Sequence, residues 1–248
     1  MTDARPHDAA DPLREAADVM RAVRDRCVWT QQIDHRALVP YLVEESAELI
    51  DAVEEGSRDE LREELGDLLW QVLFHAEIAS RDADSPFDID DVARGLTDKM
   101  VRRHPHVFGD AVANTPEEVL VHWNAAKAAE KSARTSVLDG VSERMPSLAL
   151  AQKLLSKAAQ AGAPRPDPAR PHAVDETVGI SQGLVPPLSS RPGGASVDGD
   201  PRSESELGDA LLALVATARA NGWDAERALR ERLRALERDI RAAEAIGR

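Results

Sequence analysis

Apolar residues recur every three to four positions along most of this chain, and the alternation that a half-buried strand requires is scarce. Ala, Leu, Glu and Arg dominate the periodic stretches, and aromatic residues make up only 3% of the sequence. A chain patterned in this way folds as an all-α protein, with consecutive helices packed as an antiparallel bundle. The period predicts helices over 11–26, 37–55, 58–81, 89–104, 116–131, 146–160 and 204–246, the last either continuous or broken near Asn221 and Gly222. Local chemistry supports these limits. Asp34, Asp88 and Thr115 stand where amino-terminal caps are needed, and Gly56 stands where the second helix must stop.

Between 161 and 203 the period disappears, and eight of the fifteen prolines fall there among Gly, Ser and Ala. That composition predicts a disordered linker. It separates a catalytic helical domain over 1–160 from a helical segment over 204–248. In the latter, Glu206-Leu207-Gly208-Asp209 echoes Glu64-Leu65-Gly66-Asp67, so the carboxyl segment is read as the remnant of a degenerate second repeat.

Projected at about 100° per residue, the helix over 37–55 has an apolar face of Leu38, Leu42, Leu49, Ala52 and Val53. Glu45 falls inside that face and Glu48 at its edge. On the next helix Leu61, Leu65, Leu68, Val72 and Ala76 form the stripe, with Glu64, Asp67 and Gln71 on its flank. A short turn around Gly56 makes the helices neighbours, so two i,i+3 acid pairs converge beside packing seams. Solvated helix faces are the ordinary place for acids. Acids set against apolar stripes instead need a counter-charge, and oxygen-only ligands favour a hard cation, Mg²⁺ or Mn²⁺. A di-iron bundle needs Glu-x-x-His, which does not occur in this sequence.

A basic stretch follows. Lys99 and Arg103 are four apart on one helical face, placed to grip phosphate oxygens, before Pro105 ends the helix. Trp123 and Lys127 form another i,i+4 pair, in which the indole either stacks on a base or packs in the core. Trp29 carries the same two readings. With a net charge of −14, the chain lacks the broad basic face that duplex nucleic acid or an anionic membrane would attract. No apolar run is long enough to span a bilayer, and the single cysteine, Cys27, cannot close an intramolecular disulfide, so the expected location is cytoplasmic.

Four ordered motifs resemble the MazG nucleoside triphosphate pyrophosphohydrolases over about 13–162 of this chain. They are Tyr41-Leu42-Val43-Glu44-Glu45-Ser46-Ala47-Glu48, Glu63-Glu64-Leu65-Gly66-Asp67-Leu68-Leu69, Arg102-Arg103-His104-Pro105-His106-Val107-Phe108-Gly109-Asp110 and Ser136-Val137-Leu138-Asp139-Gly140-Val141. The resemblance implies an all-α fold, commonly a tight homodimer. It also implies Mg²⁺-dependent conversion of nucleoside triphosphates to monophosphates and pyrophosphate, in nucleotide-pool house-cleaning. Carried over by position, the family's metal ligands fall on Glu45, Glu48, Glu64 and Asp67. Its phosphate and nucleotide contacts fall on Lys99, Arg103, Trp123 and Lys127.

Two departures bear on activity. Where the family usually carries Cys-Pro-Trp-Asp, this chain has Cys27-Val28-Trp29-Thr30, and the second repeat lacks an acidic helix before Glu206. The expectation is that only the first copy binds metal well, with Glu45 or Glu48 accepting the water's proton or orienting the water. Two other readings are a pyrophosphohydrolase restricted to deoxypyrimidine triphosphates or phosphoribosyl-ATP, and a helical nucleotide-sensing module without catalysis.

Overall fold

The computed structural model describes residues 11–132, 134–163 and 201–246, and every regular element among them is helical. The predicted linker lies almost wholly outside these residues. They run in order as α1 (Pro12–Arg26), a 3₁₀ turn (Thr30–Gln32), α2 (Val39–Glu54), α3 (Arg58–Ala79), α4 (Ile89–Arg103), α5 (Pro105–Phe108), α6 (Pro116–Glu130), α7 (Ser147–Gln160), α8 (Glu204–Ala220) and α9 (Ala225–Ile246). No helix among them is long and apolar enough to cross a membrane.

The caps explain most of the boundaries. Glu60 N–H donates to Ser57 Oγ and Ser57 N–H to the Glu60 carboxylate, a reciprocal pair that starts α3. Asp88 and Asp91 do the same for α4, and Thr115 Oγ1 accepts from Glu118 N–H at the head of α6. Asp34 behaves differently from expectation. Its carboxylate accepts from Ala37 N–H at 2.8 Å and closes a separate turn, so α2 begins only at Val39. Pro105, expected to end α4, opens the short α5, because a fixed φ and missing N–H suit a first helical turn.

The chain divides into two compact units, 1–132 and 133–248. In the first, α3 packs against α1, α2 and α4, while α4 packs against α5 and α6. Its core gathers Ala17 and Met20 of α1, Ile33 and Leu38 of the connection, and Leu73 and Phe74 of α3, with Trp70 stacked on Phe74 at 5.5 Å between centroids. Leu38 and Phe74 are fully buried.

The core is therefore offset from the predicted stripe. Ala76 is buried, but Leu65 and Val72 of α3 and Leu42 and Val53 of α2 are exposed. The apolar period gave the helices but not the buried face: covering a face takes another element, and α1 meets α3 around Leu73 and Phe74, outside the predicted stripe.

In the second unit, α7 packs with α8 and α9. The Gln152 amide donates to Trp223 C=O and accepts from Ala225 N–H, which clamps the turn between α8 and α9. That turn is the break expected near Asn221, with Gly222 at φ +71°, a left-handed conformation that glycine adopts without a Cβ clash. The helix over 147–160, grouped above with the acidic helices, thus sits in the second unit, because its apolar face meets α8 and α9.

Candidate functional site

The hairpin of α2 and α3 is joined by Glu55, Gly56 and Ser57, and its tightness follows from Gly56. A Cβ there would lie 2.6 Å from Ala52 Cα. With the two helices held so closely, Glu45 and Glu48 of α2 meet Glu64 of α3, one carboxylate oxygen from each lying within 4.8 Å of the others. Among the described residues this is the one group of three side chains with metal-ligand geometry. Asp67 falls outside that distance set, yet its charge acts on both Glu45 and Glu64.

Electrostatics records the crowding. Desolvation lifts the Glu45 carboxyl above the usual carboxylate range, and the charges of Asp67, Glu48 and Glu64 raise it further. Glu64 is raised for the same reason, with Glu48 and Asp67 adding to desolvation. Glu64 Oε2 is buried with no hydrogen-bond partner. An orphaned oxygen, two desolvated carboxylates and an all-oxygen donor set fit a hard divalent cation. An open cleft of about 320 Å³ adjoins the group, lined by Glu48, Glu60 and Glu64 among others.

Around the acids, the loop that departs from the family pattern is well built. Thr30 is buried, and its hydroxyl donates to Val23 C=O at 2.9 Å, with Cys27 C=O a second acceptor at 3.1 Å, closing the turn after α1. Trp29 is half exposed and meets Tyr41 edge-on at 6.4 Å, one helical turn before Glu45. Of its two readings, the core one is excluded by that exposure.

The basic and aromatic residues form a second assembly. Arg103 donates through Nε and Nη2 to the Glu130 carboxylate, and its Cζ lies 4.9 Å over the Trp123 ring. His104 meets Trp123 edge-on at 5.3 Å, while its Nδ1 lies 2.7 Å from Met100 C=O. Lys99 and Lys127 are half-buried, one turn before Arg103 on α4 and one turn after Trp123 on α6. Arg103 and Trp123 are thus brought together across α4 and α6. Sequence reasoning missed Glu130, although a signal was present: it stands seven residues after Trp123 and three after Lys127, on the same face of α6.

Among its described residues the second unit does not rebuild the acidic group. Glu206 accepts from Arg202 N–H at the head of α8, and the preceding helix α7 carries no acid.

A family model described as the MazG nucleotide pyrophosphohydrolase domain matches residues 33–108, which contain all four acids. The chain is 45% identical to an uncharacterized 26.1 kDa protein of Streptomyces cacaoi, over 94% of this chain and 82% of that one. It is 50% identical to a nucleoside triphosphate pyrophosphohydrolase of Mycobacterium tuberculosis, over 61% of this chain and 46% of that longer protein. It is also 35% identical to the nucleoside triphosphate pyrophosphohydrolase of Escherichia coli K12, over 92% of this chain and 85% of the relative.

Proposed function

The chain belongs to the MazG family of nucleotide pyrophosphohydrolases, and from that premise we propose that it hydrolyses nucleoside triphosphates between the α and β phosphates, releasing monophosphate and pyrophosphate. The observation that carries this reading is the convergence of Glu45, Glu48 and Glu64 within 4.8 Å, with Asp67 charged beside them. These four residues would hold Mg²⁺, with Mn²⁺ as a substitute. When bound, the ion supplies Lewis acidity toward phosphate oxygens and lowers the pKa of coordinated water.

The chain's own residues do the rest. Glu45 or Glu48 would accept the proton of the attacking water or orient that water. Lys99, Arg103 and Lys127 supply positive charge for the polyphosphate, and Trp123 fixes the plane of the Arg103 guanidinium. Among recurring phosphate sites, a glycine-rich loop of the Gly-x-x-x-x-Gly-Lys type is absent from the sequence, so side chains must do this work.

The working unit in this reading is a homodimer. Val39, Val43, Ile50 and Val53 form an exposed apolar stripe along α2, with Val43 and Val53 near 65% exposed. A second copy of the chain is the partner that would cover it. The cellular role we assign is nucleotide-pool house-cleaning. Product analysis tests the chemistry: monophosphate plus pyrophosphate from undamaged and damaged triphosphates supports it, whereas diphosphate plus phosphate, or no turnover with Mg²⁺, overturns it.

A further inference from the structure

Arg103 is held more firmly than an arginine at a helix end needs to be. The Arg103 side chain is 12% exposed and the Glu130 side chain 21%. Nε lies 3.2 and 3.3 Å from the two Glu130 oxygens, and Nη2 lies 2.5 Å from Oε2. One face of the guanidinium is laid over Trp123, which His104 supports from the side. Glu130 thus fixes the lateral edge of the fork and Trp123 fixes its plane.

A guanidinium has five N–H donors. Those on the Nε side are directed to Glu130, leaving both Nη1 hydrogens and one on Nη2, of which one from each nitrogen lies along the end of the fork. That end is a second edge able to bind two phosphate oxygens at once. Arg102 also reaches Glu130, at 3.4 Å, so two guanidinium groups share one carboxylate and positive charge is left over for an anion.

We propose that Glu130 is a positioning residue for triphosphate binding. It grips the side of Arg103 and presents the free end of the fork to the polyphosphate, without touching substrate itself. This rests on the triphosphate reading above and adds a residue to it. In the alternative, Glu130 imitates a phosphate on the side edge and must be displaced, and Glu130→Gln then lowers KM.

The test is steady-state kinetics with a nucleoside triphosphate and Mg²⁺ on the wild type, Glu130→Gln, Glu130→Asp, Arg103→Lys and the double variant Glu130→Gln/Arg103→Lys, each checked by thermal melting. Glu130→Gln is expected to raise KM about tenfold, the weight of one charge-assisted contact, with kcat within about twofold of wild type. Glu130→Asp, which keeps the charge, should recover part of the loss. Arg103→Lys should raise KM at least as far, and adding Glu130→Gln to it should do nothing more, because an ammonium has no fork to orient. A wild-type protein without triphosphate turnover would refute the underlying reading. An active wild type with Arg103→Lys impaired would leave that reading standing and overturn only this inference if Glu130→Gln has an unchanged or lowered KM, or if the two substitutions are additive. Arg103→Lys with an unchanged KM would overturn the inference as well.

Discussion

Replacing Glu45 by Gln should stabilise the protein without metal and destabilise it, relative to wild type, with metal. Without a cation, Glu45 and Glu48 repel. Their oxygens lie within 4.8 Å, and because Glu48 is exposed, a water-like dielectric is the right screen, which gives about 0.9 kcal/mol. For the unit spanning 1–132, that is roughly 4 °C in Tm.

With Mg²⁺ at about a hundred times its Kd, wild type gains about 2.7 kcal/mol. Loss of an outer-shell partner typically costs about 10–100-fold in metal affinity, so loss of a direct carboxylate ligand costs at least about a hundredfold. The variant then gains only about 0.4 kcal/mol. The order of melting inverts: the variant leads by about 4 °C in chelator and trails by about 6 °C in Mg²⁺. Differential scanning calorimetry at pH 8, with EDTA and then with excess Mg²⁺, reads both numbers. A variant that melts below wild type in EDTA, or that gains as much from Mg²⁺, would refute the account of the acids as a metal-requiring cluster.

Further outcomes are expected elsewhere. Gly56→Ala should cost about 2 kcal/mol and weaken Mg²⁺ binding, because the new Cβ would press on the Ala52 backbone and splay the hairpin carrying Glu48 and Glu64; melting and calorimetric titration check both. Phe74→Ala, which empties a fully buried site stacked on Trp70, should lower stability by about 3–5 kcal/mol in denaturant unfolding. His75 sits with Nδ1 2.8 Å from that of His35, and burial, then the charge of His35, hold its pKa below the usual value. The unfolded chain therefore takes up this proton first on acidification. The stability present above about pH 6.5 is lost as pH falls from there toward the depressed folded value, and His75→Gln should flatten that slope in melts from pH 8 to 5. Val43→Lys should shift sedimentation toward the monomer if the exposed α2 stripe is the dimer contact; an unchanged oligomer would place the contact elsewhere.

The sequence determined whatever depends on local spacing. Helical content, the caps at Asp88 and Thr115, the break at Gly222 and the acid pairs at i,i+3 all follow from the helical repeat and the chemistry of a few residues on either side. The acid group was legible because its two halves lie on consecutive helices joined by a three-residue turn, so the chain itself brings them together. Asp67, a fourth ligand by sequence, falls outside the triad's distance set, since its distance depends on how α3 is rotated against α2.

Tertiary structure alone decided which apolar residues are buried, that α7 packs with α8 and α9, and that Glu130 takes Arg103 and His35 faces His75. These last two pairs join residues 27 and 40 positions apart. Helical periodicity fixes the face on which a residue lies, but which other face it meets is set by the packing of whole helices, and no short stretch of sequence encodes that.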